Sequence, residues 1–196
     1  MKTNEPEAAP LTWPELDSQP ESRTGGDPSD FDMLFTAYWN RLHELLARMV
    51  ADADEAEDLA LEAFCRLHDH LKRKKPLSNP GGWLYRTAIH LGLNALRSNL
   101  RRKKYEQAAG NENLQGSDLP DPQRTMELNQ EREQVRRILA TMKPERARLL
   151  ILRAQGFSYK ELAQTCEVET GSVGTLLNRA EQDFEKRYRE RYGEER

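Results

Sequence analysis

Cysteine is scarce in this sequence. Cys65 and Cys166 are the only two, far apart and neither in a Cys-x-x-Cys pair, which argues against a structural disulfide or a cysteine zinc site. Long apolar runs are missing as well: no stretch reaches the roughly eighteen residues that a membrane-spanning helix needs. The opening "MKTNEPEAAPLTWPELDSQP" has no basic start followed by an apolar stretch, so it does not read as a secretory signal, and a cytoplasmic location is expected. Neither a glycine loop that cradles phosphate nor a nucleophile elbow occurs, and no catalytic residue, cofactor or enzymatic activity is expected. Cys65, His68 and His70 spread around a helix instead of sharing one face, so no metal site is expected there. Strong net charge is lacking too, the formal balance being -3. That small sum conceals large local imbalances.

Residues 1–30 hold seven acids against Lys2 and Arg23, with five of the ten prolines, the composition of a disordered acidic tail. Residues 44–69 carry eight acids against Arg48 and Arg66. From Lys72 to Lys104 the sign reverses, with ten bases and no acid. Tyr105–Gln134 is acidic again, with seven acids against Arg124 and Arg132, and contains "AAGNENLQGSDLPDPQ"; residues 105–127 read as a flexible linker. An all-α chain follows from this layout: a first helical domain over 31–104 and a second over 128–196.

In "DEAEDLALEAFCRLHDHL" the residues Ala56, Leu59, Ala60, Ala63, Phe64, Leu67 and Leu71 recur at i, i+3, i+4, i+7, one stripe for a core. The other side shows Asp54, Glu55, Asp58, Leu61, Glu62, Cys65 and Asp69, a solvated acidic face or a docking surface for a basic partner. A loop over Lys72–Gly82, "KRKKPLSNPGG", leads into a helix from about Trp83 to Lys104. Its polar residues Arg86, His90, Asn94, Arg97 and Arg101 fall in one narrow sector, with Arg102, Lys103 and Lys104 at the end. Arginine neutralises phosphate and donates in pairs, and His and Asn reach base edges, so this face suits nucleic acid. Trp83 and Tyr85 are expected in the core, although an aromatic beside such a face could also stack on an unpaired base.

The second domain opens with a helix ending before Pro144, which starts the next one at its permitted first position. Gly156 is expected as a left-handed cap, Ser158 as the cap of a short helix through Ala163, and a second helix from about Thr170 to Arg189. This is the order of a helix-turn-helix, with Ala163 at the crossing and Val173 buried. Glu167 stands at the turn position that glycine commonly takes, where a left-handed backbone is expected. The outward residues of the second helix are Ser172, Thr175, Asn178 and Arg179.

Taken in order, "DEAEDLALEAFCRL", "WLYRTAIHLGLNALR" and "KPERARLLILRAQGFSYKELAQTCEVETGSVGTLLNRAE" resemble regions two and four of bacterial RNA polymerase sigma factors of the extracytoplasmic-function group, over about Phe31 to Tyr188. The resemblance implies core polymerase and promoter DNA as partners, and an anti-sigma factor or other regulator. It implies that Asp58, Leu61 and Glu62 contact the polymerase clamp. The basic loop and helix would read the melted minus-ten element, with Leu77, Ser78 and Asn79 holding an extruded base and Arg86, His90, Asn94, Arg97, Arg101 and Arg102 lining the strand. Ser172, Thr175, Asn178 and Arg179 would read the minus-thirty-five element. The chain departs from the usual pattern at Leu61, His90 and Asn94, and "GSVGTLLNRAE" places Gly174 and Glu181 where basic residues are common. A stand-alone helix-turn-helix regulator and an adaptor that uses only the acidic helix are the competing classes. The first binds duplex DNA without polymerase, the second binds no DNA.

Overall fold

The structure, a computed structural model, describes the backbone of residues 28–73, 77–108 and 122–193, and side chains over 31–73, 77–105 and 129–193. The described residues form helices only: α1 Pro28–Val50, α2 Ala53–Lys72, α3 Pro80–Ala108, α4 Pro122–Thr141, α5 Pro144–Ala154, α6 Tyr159–Cys166 and α7 Thr170–Tyr192. The expected tail and linker lie largely outside the described residues. Their inner ends are helical, since Pro28 begins α1, α3 continues to Ala108 and α4 starts at Pro122.

Helices α1, α2 and α3 pack on one another to form the first unit. Asp52 caps α2 by accepting from the Glu55 amide at 2.9 Å, and the α2 stripe is buried as its spacing predicts, with Leu59 alone only half-buried. Phe64 is the anchor of this core. Its ring lies 6.3, 4.8 and 6.1 Å from those of Phe31, Phe35 and Trp39 on α1, and tilted or edge-on ring contacts of this kind add to the area they bury. Tyr85 is buried and Trp83 half-buried, as expected.

The expected loop over Lys72–Gly82 is shorter at both ends. Lys72 closes α2, and Pro80, Gly81 and Gly82 form the first turn of α3. Asn79 is the reason: its Oδ1 accepts from the Gly82 amide at 2.6 Å, an N-cap followed by proline at the first helical position. Gly82 permits this closure, because a Cβ there would stand 2.5 Å from Asn79 Nδ2.

Helices α4 to α7 form the second unit. Gly156 is left-handed at φ 89°, letting the Phe157 amide reach back to the Leu152 carbonyl at 3.2 Å. Ser158 and Glu161 make a reciprocal capping box at the start of α6, which runs on to Cys166 instead of stopping at Ala163. Glu167 adopts the left-handed conformation, φ 57° and ψ 46°, at a cost of about 1 kcal/mol for a residue bearing a Cβ. Ala163 and Val173 are buried where α6 and α7 cross.

An ionic cluster braces α7 against α5. Asp183 accepts from Arg187 Nε at 2.8 Å and pairs with Arg146 of α5 at 3.0 Å. Burial alone would raise its carboxyl, but the bonds from Arg187 and Arg146 outweigh that and hold it below the usual carboxylate range. A depressed folded value means stability that is present above the unfolded carboxyl's pKa of about 4 and lost as the pH falls through the folded value. Asp183→Asn should therefore lower the melting midpoint of the second unit near neutral pH by roughly 4–8 °C, the effect of about 1 kcal/mol in a domain of this size. The gap between parent and variant should close on acidification below about pH 4. Calorimetric melts across that range check it, and a gap independent of pH would remove the carboxylate from the explanation.

Helix α3 belongs to both units, because α4, α5 and α6 also pack against it. The buried side chains form one cluster that runs from the first unit into the second.

Candidate nucleic-acid interface and docking face

The acidic face of α2 is outward. Asp58, Leu61 and Glu62 are all exposed, and Leu61 is one of few large apolar side chains so placed, at 42%. Glu62 is partly engaged by Arg66 one turn on, at 2.6 Å. Glu55 accepts from Asn99 of α3 at 3.0 Å and is half-buried, so it serves the fold more than the face. What remains outward is a leucine flanked by carboxylates, suited to a basic surface with an apolar pocket.

The polar sector of α3 is present, but its members differ in use. His90, Asn94, Arg101 and Arg102 are exposed, and the Asn94 amide nitrogen lies 3.4 Å from His90 Nε2. Arg86 and Arg97 are half-buried and turned toward the second unit. Arg86 donates to the Thr165 carbonyl at 2.7 Å and pairs with Glu167 at 2.7 Å. Arg97 donates to the carbonyls of Ala140 and Met142 at 2.9 and 3.1 Å. The residues expected to hold an extruded base divide likewise: Leu77 packs against the core, Ser78 is exposed, and Asn79 spends its carbonyl oxygen on the α3 cap.

The helix-turn-helix carries Ser172, Thr175, Asn178 and Arg179 on the exposed side of α7, while Val173, Leu177 and Ala180 face inward. Gly174 faces Tyr159, whose ring would lie 3.6 Å from a Cβ added there. Tyr159 is itself exposed, with Arg153 5.7 Å from the centre of its ring. Cys65 is exposed and Cys166 half-buried, and burial pushes the Cys166 thiol up. Among the described residues no group of three or more His, Cys, Asp or Glu could hold a metal ion, and no helix is long and apolar enough to cross a membrane.

An acidic helix, a basic helix and a helix-turn-helix thus follow one another along an all-α chain. The family patterns described as "Sigma-70 region 2" and "Sigma-70, region 4" match residues 34–102 and 132–183, and the chain belongs to the sigma-70 family, in its extracytoplasmic-function group. It directs promoter recognition by RNA polymerase. It is similar to the RNA polymerase sigma-H factor of Pseudomonas aeruginosa, with 29% identity over 168 residues covering 82% of this chain and 87% of that one. It is also similar to the ECF RNA polymerase sigma-E factor of Escherichia coli K12, with 26% identity over 170 residues covering 83% and 88%. A solved structure of the sigma factor RpoE with the anti-sigma factor NepR from Bartonella quintana aligns over 86% of this chain and 99% of that one, at 20% identity and a TM-score of 0.45.

Proposed function

We propose that the two units divide the promoter between them. The first domain, residues 31–104, docks on core polymerase through Asp58, Leu61 and Glu62 and reads the melted minus-ten element with the 77–79 loop and the basic face of α3. The second, residues 128–196, reads the minus-thirty-five duplex with Ser172, Thr175, Asn178 and Arg179. One observation carries this reading: α2 presents an acidic face and α7 a small polar face outward, while α3, whose own polar sector is basic, packs against helices of both units. A stand-alone helix-turn-helix regulator has no use for an exposed leucine set among carboxylates. The site of action is the cytoplasm, and an anti-sigma factor or another regulator is the further partner to which the family resemblance leads. Mixing the chain with purified core polymerase tests the reading. It should co-elute on a sizing column and confer promoter-specific initiation, whereas duplex binding without any polymerase association would favour the stand-alone regulator.

The Asn79 cap shapes the test of the minus-ten loop. Asn79→Ala removes both the cap and any base contact, and losing the cap costs about 0.5–2 kcal/mol of stability. Asn79→Ser keeps a capping oxygen and removes only the amide. Both variants should bind a fluorescent non-template oligonucleotide within the holoenzyme with flattened sequence selectivity, and only the alanine variant should melt earlier. Full selectivity in Asn79→Ser would move base reading away from Asn79.

A further inference from the structure

The fold of α7 does not need a glycine at Gly174. Its backbone is helical, and among the described glycines only Gly156 is left-handed. A Cβ added at Gly174 would meet the Tyr159 ring at 3.6 Å, an ordinary contact, whereas at Gly81, Gly82 and Gly92 it would press to 2.3, 2.5 and 2.7 Å on a neighbouring side chain. Inside a helix glycine is less favourable than alanine, because it gives up more backbone freedom on folding. A costly residue that packing does not demand directs attention outward, to the space that the missing side chain leaves open.

That space has an aromatic wall. Tyr159, at the first position of α6, is 48% exposed and borders the gap with its ring carbon Cε2. Arg153 stands 5.7 Å from the centre of the ring, and its guanidinium donates to the Phe157 carbonyl at 3.0 Å, so the neighbour of the ring is itself held in place. Along α7 the gap lies one turn before Asn178 and about 40° from it around the helix axis, so it continues the surface formed by Ser172, Thr175, Asn178 and Arg179. In a helix-turn-helix the early turns of the second helix meet base edges. In the major groove those edges bear donors, acceptors and one apolar group, the C5 methyl of thymine. A gap bordered by a ring, with no side chain of its own, suits that methyl and leaves the donor or acceptor of another base without a partner.

We propose that Gly174 and the Tyr159 ring form a thymine-reading notch in the minus-thirty-five surface, taking the C5 methyl of a thymine within about two base pairs of the pair read by Asn178. The spacing follows from a rise of about 6 Å between the two residues along α7, against about 3.4 Å per base pair. The notch rests on reading α7 as the helix that enters the duplex. Burial of one methyl is worth about fourfold in affinity.

Holoenzyme assembled from the full chain and core polymerase tests this on a duplex promoter fragment that it binds. Each thymine of the minus-thirty-five element, on either strand, is replaced in turn by deoxyuridine, which lacks only the methyl. At one position, close to the base pair where Asn178→Ala acts, the parent should lose affinity about fourfold. With a guanine pair at that position, 5-methylcytosine should bind more tightly than cytosine by a similar factor, because the methyl returns without the thymine carbonyl. Tyr159→Phe keeps the ring and should keep the discrimination. Tyr159→Ala removes the wall and Gly174→Gln fills the gap, and both should bind the thymine and deoxyuridine fragments alike, with circular dichroism melts as the folding control. A parent that tolerates deoxyuridine everywhere, or an element with no thymine on either strand, overturns the notch, and an Asn178→Ala variant that is still selective then leaves α7 as the reading helix. Even loss across promoters in Asn178→Ala defeats that reading and the notch with it. Discrimination that survives in both Tyr159→Ala and Gly174→Gln assigns the methyl to another residue, and discrimination lost in Tyr159→Phe makes the hydroxyl, not the gap, the reading group.

Discussion

Leu61→Arg is expected to weaken binding to core RNA polymerase by more than about 100-fold, some 2.7 kcal/mol, while leaving the chain folded. The leucine is exposed on the side of α2 opposite the stripe that packs on α1 and α3, so its replacement touches no core contact. Surface substitutions of that sort change stability by less than about 0.5 kcal/mol. At a docked interface the same change removes an apolar anchor and sets a cation, desolvated, against a basic surface. Asp58→Arg on the same face should act differently, slowing association at low salt and losing its effect as salt screens the charges. Sizing-column co-elution and association kinetics at two salt concentrations separate the variants, with circular dichroism melts as the folding control. If both variants co-elute as the parent does, polymerase docks elsewhere.

What was legible in the sequence was local. The α2 stripe follows from apolar spacing alone, and the Gly156 cap, the Ser158 cap and the left-handed Glu167 follow from residue types at fixed offsets. Proline was harder to interpret. Pro28, Pro80, Pro122 and Pro144 each begin a helix, and only the last stands among residues already helical in pattern. At Pro80 and Pro122 the neighbouring Gly, Asn, Ser and Asp suggest a loop, although Asn79 followed by proline is equally a cap and a first helical position. The use made of Arg86 and Arg97 could not be read at all. Their partners stand 79, 43 and 45 residues away and include the backbone carbonyls of Thr165, Ala140 and Met142. Carbonyls leave no mark in a sequence, so a face of five aligned polar residues gives no sign that two are already bound within the protein.

The exposed end of α3 and the exposed side of α7 should give opposite signatures on DNA. Arg101 and Arg102 lie beyond Arg97, next to Lys103 and Lys104, all four exposed at the end of a helix without acids of its own before Glu106. Contacts from such a cluster go to phosphates, and their strength is counterion release, about 0.7 in the logarithmic salt slope per contact on a single strand. Replacing both by alanine should flatten the slope by about 1.4 and weaken holoenzyme binding on the order of tenfold at moderate salt, alike on every promoter. Asn178, by contrast, stands with Ser172 and Thr175 on a face where Arg179 is the one cation, and Gly174 adds none. A side chain of this kind reads base edges, as an asparagine does when it pairs with adenine in the major groove. Asn178→Ala should cost about 1–3 kcal/mol at particular minus-thirty-five base pairs and leave the salt slope nearly unchanged. Holoenzyme binding to a promoter panel at several salt concentrations distinguishes the two. An Asn178 variant that loses affinity evenly across the panel, or an arginine pair that proves sequence-selective, would mean that phosphate contact and base reading are not divided between α3 and α7.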